Sequence, residues 1–145
     1  MNHRVRKIRS FALAGLILLA ASSVYAETAE GYFNRGMDDL KQKNYYQAID
    51  DFGMSIKLNP NYVASYNNRA LAHDNLGNYS QAIYDYTKAI ELKPDSPKAY
   101  NNRALAYFAL KDYAKAWEDV QKAQSLGYEV KPEFIRTLKK ALNGE

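Results

Sequence analysis

The sequence predicts an all-α protein in which three copies of a helical hairpin stack on one another and a last helix covers the end of the stack. Three observations predict this fold class. The seven-residue segment from Tyr66 to Ala72 recurs unchanged from Tyr100 to Ala106, an offset of 34 residues. Apolar residues within each copy recur with the period of an α-helix, and short polar turns or prolines separate these segments. A fixed period of this length is typical of stacked helical repeats.

Residues 1–26 precede the repeats and have the pattern of a secretory signal peptide. A basic stretch from Arg4 to Arg9 is followed by the apolar stretch Phe11 to Ala21 and by small residues that end at Ala26. The apolar stretch is about half of the ~20 residues that a membrane-spanning helix needs. We therefore expect cleavage after Ala26, no integral span after processing, and export to a bacterial periplasm or beyond the cell. The alternative is an uncleaved N-terminal membrane anchor.

The excess positive charge of the chain lies in this N-terminal segment. The 145 residues contain 20 Lys and Arg against 16 Asp and Glu, and four of the bases fall within residues 1–26, which contain no acid. The remainder is neutral, with bases and acids interleaved, so we expect no nucleic-acid partner. The chain contains no cysteine, which excludes thiol nucleophiles, disulfides and thiolate metal sites.

Each copy holds two helix-period segments that are joined by a polar turn. Pro60 and Pro94 follow the second segments of the first two copies and are expected to end them, because proline cannot continue the helical hydrogen-bond ladder. The unit is therefore an antiparallel hairpin. The copies are assigned to residues 29–62, 63–96 and 97–130.

Residues 131–145 follow the third copy and are predicted to form a capping helix. Proline opens the segment Pro132 to Leu142, where it fits the first helical position. Phe134, Ile135, Leu138 and Leu142 fall on one face of such a helix. We expect this face to cover the apolar end of the third hairpin, because terminal repeats need a cap.

At these repeated positions the sequence resembles the tetratricopeptide repeat (TPR) family. With Ala29, Val63 and Pro97 as first positions, aromatic residues fall at position 4, small residues at positions 8 and 20, and proline at position 32 of the first two copies. The resemblance implies a right-handed α-solenoid of three 34-residue hairpins plus a C-terminal capping helix. Small residues allow helices to approach to about 8–10 Å. The matching residues are Tyr32, Tyr66 and Tyr100; Gly36, Ala70 and Ala104; Ala48, Ala82 and Ala116; and Pro60 and Pro94.

Two patterns could indicate chemistry, and both favour a structural interpretation. Arg35, Arg69 and Arg103 recur with Asp51, Asp85 and Asp119, and antiparallel helices would bring each pair together as an ion pair within a hairpin. His73 is the one histidine outside residues 1–26, whereas a catalytic zinc usually has three protein ligands. We therefore expect no catalytic residue, no metal and no cofactor.

The resemblance implies a concave groove lined by the first helices of successive hairpins. Asparagine predominates at the groove positions, and its amide can pair with both the N–H and the C=O of an extended peptide. We expect Asn68 and Asn102 to matter most. The alternative is that these amides only bond backbone within the stack. The predicted groove residues are Phe33, Asn34, Met37, Asn67, Asn68, Leu71, Lys98, Asn101, Asn102 and Leu105.

Chaperone-binding members of the family hold a C-terminal carboxylate with a clamp of basic residues and asparagines. The resemblance places Phe33, Met37, Asn68, Lys98 and Asn102 at the five clamp positions, and only Asn68 and Lys98 fit the clamp. Most of the charge-assisted contacts are therefore missing. We expect no carboxylate-dependent chaperone binding.

The function predicted from these observations is a non-catalytic adaptor or scaffold in the cell envelope, which holds a peptide segment or a partner helix in its groove. The alternative is a structural role, as a self-associating component or an accessory subunit of an envelope complex, with no ligand in the groove.

Overall fold

The computed structural model describes residues 28–145; residues 1–27, with the predicted signal peptide and the cleavage site after Ala26, lie outside the described residues. The described part contains seven α-helices and no strand, which confirms the all-α class. No helix among these residues has the length and apolar character needed to cross a membrane. The helices are α1 Ala29–Lys41, α2 Tyr45–Leu58, α3 Val63–Asn75, α4 Tyr79–Leu92, α5 Pro97–Ala109, α6 Tyr113–Ser125 and α7 Pro132–Leu142.

The helices pack in chain order. The pairs α1 with α2, α3 with α4 and α5 with α6 form three hairpins. The second helix of each hairpin packs on the first helix of the next, and α6 packs on α7. The first helix α1 also contacts α3, the first helix of the following hairpin. This arrangement is a helical repeat solenoid, as the 34-residue period predicts.

The three turns inside the hairpins share one backbone geometry. Their central residue has a positive φ: 63° at Lys43, 74° at Gly77 and 62° at Lys111. The amide of the next residue then donates to the carbonyl five residues earlier, at 2.9 Å in each hairpin. This left-handed ending satisfies orphan carbonyls at the end of the first helix and reverses the chain. Glycine adopts the conformation without strain, whereas the two lysines do so at a small cost.

Small residues form the line of closest approach between the helices. Ala48, Ala82 and Ala116 have no exposed surface. A Cβ atom built on Gly36 would lie 2.8 Å from a ring carbon of the buried Phe52, so that glycine gives this ring its room. The structure thus places the repeated small residues where two helices meet.

Serines replace alanines at the interface between the first two hairpins. The Ser55 and Ser65 hydroxyls are 2.6 Å apart and wholly buried, and Ser55 donates to the carbonyl of Ala29 at 2.7 Å. These bonds connect α2 with both α1 and α3. The corresponding residues at the next interface are Ala89 and Ala99, which are buried and purely apolar.

The helix α7 covers the end of the third hairpin. Leu138 has no exposed surface, and Phe134 and Ile135 are half-buried against the core of that hairpin. The Phe134 ring meets Phe108 edge-on with centroids 5.4 Å apart. Leu142, which the sequence places on the same face, lies in the last turn and stays exposed.

The predicted ion pair is present in all three hairpins, between the first and the second helix. Arg69 donates twice to Asp85, with both bonds at 2.7 Å, and Arg103 donates twice to Asp119, with both at 2.8 Å. Arg35 makes the same two-pronged contact with Asp51. The aspartates are buried, but the arginine side chains differ in exposure: 51% for Arg35, 22% for Arg69 and 16% for Arg103.

We predict that the Arg69–Asp85 pair contributes more to stability than the exposed pair of the first hairpin. Replacing Arg69 with Ala leaves the Asp85 carboxylate buried without its partner and should cost roughly 3 kcal/mol of unfolding free energy. Chemical denaturation of the single and double variants of a cycle with Asp85→Asn should give a coupling energy of about 1–3 kcal/mol. The same cycle on Arg35 and Asp51 is the control and should give less than ~1 kcal/mol. Equal coupling in both cycles would contradict the role given to burial.

Candidate peptide-binding groove

A cavity of about 250 Å³ lies between α3 and α5, the first helices of the second and third hairpins. We call it the amide groove. Its volume is slightly below the ~300–1,000 Å³ of most small-molecule sites. Five predicted groove residues line it, Asn67, Asn68, Leu71, Lys98 and Asn102, together with Ala64, Ser96 and Ala99.

The two asparagines that the sequence singles out each have a contact within the protein. The Asn68 amide nitrogen donates to the carbonyl of Ala64 at 2.8 Å, one turn earlier in the same helix. This bond occupies one donor and holds the amide in place, while its other hydrogen and its oxygen remain available. Asn102 lies close to the hydroxyl of Tyr86 on α4. Asn68 thus makes the backbone bond that the alternative interpretation predicts, and both asparagines also line the groove.

The other predicted groove residues lie elsewhere. Phe33 and Met37 pack into the core of the first hairpin, where the Phe33 ring is 5.8 Å from the Phe52 ring. Asn101 is 9% exposed and is therefore a buried residue. Asn34 and Leu105 are exposed but do not line the cavity. The amide groove thus includes five of the ten predicted groove residues, and the large apolar residues Phe33 and Met37 of α1 pack against the core instead.

A buried carboxylate lies behind the amide groove. The Tyr86 hydroxyl donates to Asp74 Oδ2 at 2.8 Å, while Asp74 Oδ1 is buried and has no partner among the described residues. Burial raises the pKa of Asp74 to about 6, although the bond from Tyr86 acts in the opposite direction. Burial also raises the pKa of Tyr86, and the interaction with Asn102 lowers it. The contacts connect a groove residue, Asn102, through Tyr86 to Asp74.

Sequence reasoning did not find this cluster. Asp74 falls at a groove position of the repeat, where the other two copies have Leu40 and Phe108. An acid at a position that is apolar in the other copies indicates that a hydrogen-bond donor lies nearby. The same copy offers such a donor in the hydroxyl of Tyr86, whereas the corresponding residues Phe52 and Val120 of the other copies have none.

His73 lies in a second cavity, of about 290 Å³, on the side of the Arg69–Asp85 pair. Its Nδ1 atom is buried and unpaired among the described residues, and burial lowers the pKa of the imidazole. The third hairpin has Tyr107 at this position, with its ring 5.8 Å from the Arg103 guanidinium. Within residues 28–145 no three His, Asp or Glu side chains come together as a metal site. The imidazole of His73 thus stands where the third copy has the larger ring of Tyr107.

Comparison with known proteins agrees with the helical repeat fold. Tetratricopeptide repeat models match residues 29–62, 52–84 and 97–126, and a TPR repeat model matches residues 75–111. The TPR2B domain of yeast Sti1 in complex with pHsp70 is 31% identical and has a TM-score of 0.71, over 81% of this chain and 98% of that chain. The chain belongs to the tetratricopeptide repeat family.

Two further TPR structures show the same similarity. The Arabidopsis OM64 TPR domain is 32% identical over 78% of this chain and 89% of that chain, with a TM-score of 0.69. The first TPR domain of Spaghetti (RPAP3), bound to the HSP90 peptide SRMEEVD, is 27% identical over 82% and 94%, with a TM-score of 0.73. No curated protein matches the sequence. TPR domains are generally non-catalytic modules of protein interaction, and two of these three structures are complexes, one with pHsp70 and one with the HSP90 peptide.

We predict that Asp74→Asn stabilises this TPR protein in a pH-dependent way. The folded-state pKa of about 6 is above the unfolded value of 3.8, so wild-type stability falls as pH rises from about 4 to 6. Asparagine can accept the Tyr86 bond without a charge, so the variant should gain ~1 kcal/mol above pH 6, after allowance for partial exposure, and almost nothing at pH 4. Chemical denaturation at both pH values measures the difference. An equal gain in unfolding free energy at both pH values would show that the buried carboxylate charge does not cause the stabilisation.

Proposed function

We propose that this TPR protein is an adaptor that binds an extended segment of a partner protein in the amide groove. The observation that supports this most is the convergence of Asn67, Asn68 and Asn102 with Lys98 around one cavity between two hairpins. Amide side chains offer donors and acceptors to the peptide main chain and therefore require little of its sequence. The apolar side chain of Leu71, which is 37% exposed, provides contact area beside them.

The proposed setting is the cell envelope of a bacterium, after export and removal of residues 1–26. The basic, apolar and small-residue zones of that segment support this setting. Affinity for a partner is the proposed activity, and catalysis has no part in it. Self-association and a structural role in an envelope complex are the competing function, in which the groove holds no ligand.

A capture experiment tests the groove and the setting together. The full-length gene is expressed in a bacterium, and proteins crosslinked to the tagged chain in the periplasmic fraction are identified by mass spectrometry. Asn68→Ala with Asn102→Ala should remove a captured partner while the unfolding temperature changes little. The same spectra should show that the mature chain begins at Glu27, because the expected cleavage follows Ala26.

The matched control carries Asn61→Ala and Asn78→Ala, which change exposed asparagines outside the groove; Asn78 makes no side-chain cap bond. Loss of the partner with both double variants would argue against the groove. Capture of the chain's own copies alone, unaffected by the groove variant, would favour self-association. Retention of residues 1–26 on the chain would contradict the cleavage.

We predict that binding does not depend on a terminal carboxylate, in contrast to what a carboxylate clamp requires. The peptide SRMEEVD, seen with a TPR relative, is the probe. Free and C-terminally amidated forms should bind with the same weak affinity, because the uncharged Phe33 and Met37 occupy clamp positions and pack against the core of the first hairpin. Isothermal titration of both forms measures this. Micromolar binding that weakens at least tenfold on amidation would show that a clamp is present.

A further inference from the structure

A second cleft, with a volume of about 570 Å³, runs along the outer side of α7. Its apolar floor consists of Val130, which is 4% exposed, and the half-buried Ile135, and the exposed Pro132 is the third apolar residue of the lining. Its rim carries Arg136, Lys139 and Lys140, together with the amides of Gln124 and Asn143. We call it the basic cleft. It is separate from the amide groove, because it lies beyond the last hairpin rather than between two hairpins.

The charges of the rim are unbalanced. The residues that line the basic cleft, all in the described part of the chain, include three cations and no acid, although residues 27–145 as a whole are neutral. Within residues 28–145, Arg136, Lys139 and Lys140 take part in no salt bridge. Lys139 is held in place by the Trp117 ring, since its Nζ lies 5.3 Å from the ring centroid. Three cations beside an apolar floor form a surface that is complementary to an acidic, partly apolar ligand.

The spacing of the cations suits an extended chain. Arg136 and Lys140 are one turn apart on α7, which separates them by about 6 Å along the helix axis. Alternate side chains of an extended segment lie about 6.6 Å apart on the same side. Two acidic residues at alternate positions of such a segment can therefore face Arg136 and Lys140 at once, each with a charge-assisted bond.

We propose that the basic cleft docks an extended acidic segment of a partner protein, with acidic side chains at two alternate positions and an apolar side chain at the next alternate position, so that all three lie on the same side of the segment. The apolar side chain lies on Val130 and Ile135, and the acidic side chains face the cations of the rim. The burial of Val130 favours a peptide over an anionic membrane. A membrane-binding helix inserts exposed apolar side chains, whereas Val130 is only 4% exposed and offers a membrane little surface.

Fluorescence anisotropy with a dye-labelled, end-capped peptide of sequence Glu-Ser-Glu-Ser-Val-Ser tests the proposal, because its two acids and its valine lie on the same side when the peptide is extended. The purified protein should bind this peptide at least tenfold more tightly than the glutamine version Gln-Ser-Gln-Ser-Val-Ser at low ionic strength. The difference should shrink as salt is added, because exposed charges are screened. Equal binding of the two peptides would overturn the proposal.

The variant Arg136→Glu with Lys140→Glu should lose at least tenfold in affinity for the acidic peptide. The control Lys57→Glu with Lys93→Glu makes the same change in net charge at exposed residues of α2 and the end of α4, and should leave the affinity unchanged. If the charge reversal lowers the helix content of the protein, the neutral variant Arg136→Gln with Lys140→Gln replaces it and should also bind the acidic peptide more weakly than the wild type does. An equal loss in variant and control would mean that net charge alone governs binding, and would overturn the proposal.

Two further arms separate the proposal from its competitors. Sedimentation with phosphatidylglycerol vesicles should show little binding; strong binding to vesicles and none to the peptide would identify a membrane surface and overturn the peptide proposal. The groove variant Asn68→Ala with Asn102→Ala should bind the acidic peptide as the wild type does. A loss with that variant would place the peptide in the amide groove and would equally overturn the assignment to α7.

Discussion

The close approach of helices at small side chains is the constraint on which the rest of this structure depends. Ala48, Ala82 and Ala116 are wholly buried where two helices meet, and Gly36 leaves room for the Phe52 ring that a Cβ atom would occupy. Dispersion contacts weaken steeply when packed surfaces separate by even half an ångström, so larger residues at these positions would push the helices apart. The same small residues recur every 34 residues because each hairpin must bring its own two helices equally close.

The Arg–Asp pair depends on this approach. Because the helices lie close, an arginine on the first helix reaches an aspartate 16 residues later on the second with two parallel bonds. The surroundings of the pair differ between hairpins. Arg103 also donates to the Thr87 hydroxyl of the preceding hairpin at 2.9 Å, whereas Arg69 faces Gly53 at the corresponding place. The third pair therefore connects two hairpins, and the second stabilises one.

Periodicity sufficed to predict the hairpins, their turns and the ion pairs, since each of these features repeats. The features that escaped sequence reasoning are those in which one copy departs from the others. Asp74 and Tyr86 form their bond only in the second hairpin, and His73 lines a cavity at the position where the third hairpin has Tyr107. Such departures depend on side-chain volume and on which polar atom faces which, and a repeat pattern records neither. For the same reason the predicted groove spread over three hairpins, whereas the cavity lies between two.

The basic cleft and the amide groove differ in the physics that a ligand would meet. The groove offers uncharged amides and one lysine, so its contacts would change little with salt, whereas three unpaired cations make the cleft strongly sensitive to it. The groove amide with a defined contact is Asn68, whose nitrogen donates to the carbonyl of Ala64. That bond fixes the orientation of the amide before a ligand arrives and leaves its oxygen and its second hydrogen for the ligand. A peptide main chain that bonds these two atoms therefore need not displace an internal contact, and it avoids part of the cost of ordering a mobile side chain.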